Sequence, residues 1–265
     1  MRAARLFFLV SISFVLSISL AAQQAVTPTS QALTLLQQSL AALTGGQTLT
    51  DVTLSGSARR IAGSDDESGT AVFAALASGA GRSDLSLSSG QCSEVQNHSS
   101  TTPAGTWSGP DGVAHAMAFH NLLTEPSWFF PAFAISRRLS DSSFAATYVG
   151  HETHNGQAVE HVFVYQSMPF PNPPGLPTFE QLTRVDFFLD ATTFLPAAIA
   201  FTIHPDNNEL LDLAVEVRFT DYRPVSGAQV PFHVQKYLSN SLILDFQATS
   251  VTLNSGLTAS AFNAQ

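Results

Sequence analysis

Three histidines crowd the second half of this 265-residue chain. They are His151, His154 and His161, with Glu152 and Glu160 beside them. Imidazole and carboxylate suit zinc, but metal ligands must converge on one point. Asn155-Gly156 follows His154. That pair best accepts the positive φ of a type I′ turn, so it sets the register of a hairpin. In this register residue 151 faces residue 160, residue 154 sits at the turn, and His161 lies opposite Gly150 with its side chain on the other face from Glu160. The three rings diverge, and the pattern reads as polar positions of an exposed hairpin rather than a metal site. Nucleophilic catalysis needs a serine on a strained elbow, a histidine base and an orienting acid. Asp111 and His115 are close in sequence, but no G-x-S-x-G occurs and nothing marks a matching serine. Asp65, Asp66 and Glu67 fall in the Gly-bounded stretch 63–69, which reads as a solvated hairpin loop rather than as a carboxylate pair held across a cleft. No phosphate loop or cofactor fingerprint is present. The expectation is a chain without catalytic residues, metal or cofactor, and not an enzyme.

Composition narrows the partners. Charged residues make up 12% of the chain, against about 25% in ordinary soluble domains, so its polar surface must rest on Ser, Thr, Asn and Gln. The net charge is −9, with 11 basic residues in no run. Nucleic acid and anionic membrane surfaces both require clustered Lys or Arg and are not expected partners. Arg2 and Arg5 precede an uncharged run at 6–20 that is broken by serines and ends in Ser19-Leu20-Ala21. This is the secretory-signal pattern. The run is shorter than the roughly 20 apolar residues a spanning helix needs. Residues 1–22 are therefore expected to be a cleaved signal peptide. Residues 23–265 are expected to form one soluble, monomeric domain in the periplasm or outside the cell. The single cysteine, Cys92, is far from the cut and is expected to be buried. Asn97-His98-Ser99 fits a glycosylation sequon but reads as an ordinary polar turn.

The elements that must position these residues follow from periodicity. Thr27 can cap a helix beginning at Pro28, with Leu33, Leu36, Leu40 and Leu43 at helical spacing and Gly45-Gly46 as its stop. Alternating residues then predict short strands up to about 117. In the insert 118–140, Phe119, Leu122, Leu123, Trp128, Phe129, Phe130, Phe133 and Ile135 crowd together between prolines. One or two short helices plugging the core are expected there. The hairpin 144–153 and 158–165 follows. The proline-rich stretch 167–178 reads as an extended surface loop. Strands then recur at hairpin spacing from 184 to 251. About eleven strands in meander order, with one leading helix and one helical insert, predict an antiparallel α+β fold in a single domain.

Several short motifs resemble the LolA-like superfamily of bacterial envelope proteins, the lipoprotein-localisation carriers and their relatives. Arg184-Val185-Asp186-Phe187-Phe188-Leu189-Asp190 runs on to Leu195-Pro196. Asp221-Tyr222 precedes Gly227 and Val230-Pro231. Val251-Thr252-Leu253-Asn254-Ser255-Gly256-Leu257 closes the chain, and Gly56, Trp107-Ser108-Gly109 and Tyr148-Val149-Gly150 fall in the same order. The insert 118–140 and the loop 167–178 depart from the family pattern. The resemblance implies an incomplete antiparallel barrel around an apolar cavity, with helices covering its concave face. Alternation gives the same expectation independently, because a curved sheet with an apolar inner face must be covered by helices or a ligand. The candidate cavity or lid residues are Leu33, Leu36, Leu40, Leu43, Leu123, Trp128, Phe129, Phe130 and Phe133. Two functions are expected from such a shape. One is a non-enzymatic binding protein holding a lipid, an acylated protein or another apolar small molecule. The other is an envelope sensor or protein-binding module with a filled core.

Overall fold

The computed structural model describes residues 28–98, 103–167, 174 and 177–263. Residues 1–22, expected to be a signal peptide, lie outside the described residues, as do Thr27 and most of the proline-rich loop. The chain opens with helix α1 (Pro28–Thr44), then runs through β1 (Asp51–Ala62), β2 (Asp65–Leu76), β3 (Ala80–Leu87), β4 (Gly90–Asn97), β5 (Ala104–Ser108) and β6 (Ala114–Ala116). A 3-10 turn (Asn121–Leu123) and α2 (Pro131–Ser140) lead to β7 (Phe144–His154) and β8 (Gln157–Gln166). After α3 (Phe179–Thr183) come β9 (Val185–Asp190), β10 (Pro196–Ile203), β11 (Leu213–Val225), β12 (Ala228–Leu238) and β13 (Ser241–Leu253).

All thirteen strands join one antiparallel sheet in the order β6-β5-β4-β3-β2-β1-β13-β12-β11-β10-β9-β8-β7. The first and last strands therefore pair in its middle. The first meander runs out to one edge, the segment after β6 crosses to the opposite edge, and the second meander returns to β1. Edges β6 and β7 do not close on each other, so the sheet is an incomplete barrel of α+β class. It has thirteen strands rather than about eleven. β6, three exposed residues long, falls within the stretch up to about 117 where short strands were expected.

The stretch 63–69 is not a loop. β2 begins at Asp65, and Arg60 pairs with Glu67 in the ladder. Its charges are satisfied across strands: Arg59 grips Asp66 at 2.6 Å, and Glu67 accepts from Ser88 and Ser89. The Asn155-Gly156 turn is as expected, with both residues at positive φ, 51° and 80°. Gly56 sits at the register shift between β1 and β13, where a Cβ would stand 2.0 Å from the Gln247 carbonyl oxygen. No side chain fits without moving that strand.

Phe73, Phe129, Phe130, Phe187 and Phe246 are fully buried at the centre of the core. Phe73 contacts Trp128, Phe129 and Phe246 with ring centroids 5.3, 5.1 and 4.5 Å away. Helix α1 buries Ala32, Leu35, Leu36, Ser39 and Leu43, while Leu40 is partly buried. Leu33 is 40% exposed and does not face the sheet. At 3.6 residues per turn the buried stripe centres near Ala32, and Leu33 projects about 100° from it. The insert plugs the core from Leu122 onward, with α2 burying Ala132, Phe133, Ala134 and Ile135, but Phe119 at its start is 63% exposed and does not join it.

Asp51, at the start of β1, holds the chain's last motif. It accepts from the backbone N–H groups of Ser255 and Gly256 and from the Ser255 hydroxyl. Asn254 accepts from the Thr50 N–H and donates to the Thr48 carbonyl. Burial alone would raise the Asp51 carboxyl, but the hydrogen bonds from Ser255, Gly256 and Thr50 outweigh it and hold it below the ordinary range.

Candidate functional site

Inward positions of β1, β13 and β12 line up across the sheet. Arg60 pairs with Leu244, and Leu244 pairs with Lys236. The same row continues through Val217, Ile199, Phe187 and Val162. These four are fully buried in the core. At Lys236 the row leaves the packed core and borders a cavity of about 480 Å³. Small-molecule pockets range over about 300–1,000 Å³. One wall is Arg60, Ile61, Lys236, Leu238, Ile243 and Leu244. The facing wall comes from Ser83, Leu85, Cys92, Glu94 and Trp107. Trp128 also lines the cavity, next to the aromatic core, and the Lys236 Nζ stands 4.3 Å from its ring centroid. Cys92 is only partly buried and lines this cavity, contrary to the expectation of a fully buried thiol.

The position of Trp128 is fixed by a buried ion cluster two elements wide. Glu125 and Arg138 are essentially without solvent contact and touch directly. Arg137 donates to the same carboxylate at 2.9 Å, and Ser127 donates to its other oxygen through both its N–H and its hydroxyl. Burial pushes the Glu125 carboxyl up, but Arg137, Arg138 and Ser127 together hold it well below the usual carboxylate range. Burial likewise lowers the Arg138 guanidinium to about 10 against the pull of Glu125. Helix α2 is thereby tied to the stretch that carries Trp128, Phe129 and Phe130. That stretch also straps the two halves of the sheet. Gln96 of β4 donates to the Asn121 carbonyl at 2.7 Å, and Asn121 donates to the His204 carbonyl at 2.8 Å and accepts from the His204 N–H at 3.0 Å.

His98 lies against this cluster at the end of β4. Burial and the nearby Arg137 charge lower its imidazole to about 4. The folded state favours the neutral ring. Its contribution is complete above the unfolded value of about 6.5 and is lost as pH falls toward 4. Between pH 7 and 5 the wild-type protein should lose about 1–2 kcal/mol more stability than a His98→Gln variant. Urea midpoints at the two pH values measure this, and parallel curves would contradict it.

The predicted site residues separate into groups. Trp128 is 5% exposed and borders the large cavity. Phe129, Phe130, Leu36 and Leu43 are packed core. Leu40 and Phe133 line a smaller cavity of about 230 Å³ between α1 and α2. Leu123 is partly buried, and Leu33 is exposed. Arg60, Lys236 and the Glu125 cluster were not read from the sequence. The available signal was a cation at an inward position of each of two strands, and charges inside an otherwise apolar insert. On the hairpin the register is as expected, with His151 opposite Glu160 and His161 opposite Gly150. The histidines share no carboxylate: His151 meets Glu160 at 3.0 Å, His154 meets Glu216 at 3.2 Å, and His161 meets Asp186 at 2.7 Å and Glu152 at 3.1 Å. His154 and His161 nevertheless come together on the ring of Phe188, at 3.7 and 4.5 Å.

No family model matches the sequence, and no curated protein matches it. Solved structures do. A Vibrio parahaemolyticus domain, provisionally described as an outer membrane lipoprotein-sorting protein, superposes with a TM-score of 0.55 at 10% identity. The match covers 89% of this chain and 97% of that one. A DUF1329 family protein from Desulfovibrio piger gives 0.52 at 10% identity, over 91% of this chain and 100% of that one. At such identity the likeness is one of fold. With its open antiparallel sheet, N- and C-terminal strands paired at the centre and helices over the concave face, the chain has a LolA-like fold.

Proposed function

We propose that this protein is an exported, non-enzymatic binding protein that holds an apolar ligand, a lipid or an acylated protein, at the open end of the half-barrel. The observation that supports it is the 480 Å³ cavity walled by Leu85, Leu238, Ile243, Leu244 and Trp128. Burial supplies the affinity, since each CH₂ removed from water contributes about 0.8 kcal/mol. No reacting group is required. In this reading residues 1–22 are removed on export and residues 23–265 act as one unit in the cell envelope. Helices α1 and α2 close the packed end of the barrel, and the strap with Trp128 bounds the ligand space.

The full inner packing of Phe73, Phe129, Phe130 and Phe246 favours a second reading, a partner-binding module on the same fold. Native mass spectrometry of protein purified from the exported fraction separates the two. The carrier reading expects a chain beginning near Ala22 or Gln23 with a lipid-sized adduct that organic solvent removes. A chain with no adduct, which also excludes every fluorescent apolar probe, removes the carrier reading and leaves the partner-binding module.

A further inference from the structure

The cavity is apolar on most of its surface, yet two cations project into it. Arg60 and Lys236 flank Leu244 in one cross-strand row, so their backbones stand two strand spacings apart, about 10 Å. Long flexible side chains from both sides can meet over the leucine between them. Among the described residues neither makes an ion pair or a hydrogen bond. Lys236 rests on the Trp128 ring. Arg60 stands opposite Glu67 in the β1–β2 ladder, but the hydrogen bonds to Glu67 come from Ser88 and Ser89; these hold its carboxyl below the ordinary range, and the Arg60 charge helps them. The neighbouring outward cations differ. Arg59 grips Asp66, and Arg218 grips Glu216. Glu94, on the facing wall, brings one carboxylate against the two cations.

Both cations are partly buried beside apolar walls and neither is held in an ion pair, so an anionic group entering the cavity gains charge attraction that a neutral one does not. We propose that the cavity selects amphiphiles with an anionic head, a carboxylate or a phosphate, held between Lys236 and Arg60, with the apolar part against Leu85, Leu238, Ile243 and Leu244. This rests on the reading of the cavity as a lipid site and adds the class of ligand it takes. The Trp128 face holds Lys236 in place for the head, so the buried Glu125 cluster positions the binding site indirectly.

The test compares ligands that share one oleyl chain. Oleate, oleyl phosphate, oleyl alcohol and oleylamine are titrated into the delipidated mature protein at low salt, with inorganic phosphate alone as a further arm. Oleate and oleyl phosphate should bind on the order of tenfold tighter than the alcohol, the amine should bind weakest, and added salt should narrow the gap. In Lys236→Gln and Arg60→Gln the ratio of anionic to neutral affinity should fall, and in the double variant it should approach one. Each protein is judged by its own ratio, so partial unfolding cannot imitate the result. Equal binding of alcohol and oleate by wild-type protein overturns this inference while leaving the lipid-site reading intact. Binding of none of the four removes that reading and the inference with it. Inorganic phosphate competing as well as oleyl phosphate overturns the inference in favour of a free-anion site.

Discussion

Replacing Glu125 by Ala should destabilise the protein by about 3–5 kcal/mol, the usual cost of stranding a buried charge. The side chain has no solvent exposure, and Arg138 beside it has 1%. Without the carboxylate, Arg138 keeps the Ala134 carbonyl, at 3.0 Å, and the faces of the Phe144 and Phe187 rings, with no anion to balance its charge or that of Arg137. Removing both charged partners behaves differently. A Glu125→Leu/Arg138→Met double variant should recover a large part of the loss, because an apolar pair of similar size carries no desolvation penalty. Urea unfolding of Glu125→Leu, Arg138→Met and the double variant closes this cycle. Single and double variants that lose equal stability would show that the cluster acts through packing, not charge. The pH dependence carries a fixed sign. The native Glu125 carboxyl lies below its unfolded value of about 4.3, so its contribution is present above that pH and disappears as pH falls beneath it. Because Glu125 and Ser127 precede Trp128, the same variant should also loosen the wall of the cavity.

The fold was largely legible because alternation and turn chemistry are local. Asn155-Gly156 fixed the register of β7 and β8, and so placed each histidine opposite its observed neighbour. Gly45, at φ 57°, ends α1 where it was expected to. The polar start of β2 was not legible. Asp65, Asp66 and Glu67 resemble a solvated turn until the β1–β2 hairpin brings Arg59 to Asp66 and the next strand connection brings Ser88 and Ser89 to Glu67. The lining of the cavity was hidden because its residues lie far apart in the chain. Arg60 and Lys236 are separated by most of the chain and meet only because β1 and β12 both flank β13. Trp128 could be read as an aromatic in a plug, but its place at the border between packed core and open space depends on Glu125, Arg137 and Arg138. Nothing local ties those three together.

Leu36→Asp should cost about 4 kcal/mol or more, while Leu33→Asp, one turn away on the same helix, should stay within about 0.5 kcal/mol of wild type. Leu36 is 1% exposed in the main core and Leu33 is 40% exposed. Both replacements remove one leucine and add one carboxylate to α1, so helix propensity and net charge change alike. Burial is what separates them. A 17-residue helix with no charged residue is marginal alone and stays folded because its stripe from Ala32 through Leu36 to Leu43 meets the sheet and α2. A carboxylate at 36 either stays charged without a partner or takes up a proton, and both routes cost stability. The cavity, however, lies at the other side of the aromatic core, and neither leucine borders it. Leu36→Asp should therefore lower the urea midpoint sharply while the fraction still folded binds oleate much as the wild type does. Equal midpoints for the two variants would place the covered face of α1 elsewhere. Loss of oleate binding in fully folded Leu36→Asp protein would move the ligand beneath α1, into the space beside Leu40 and Phe133.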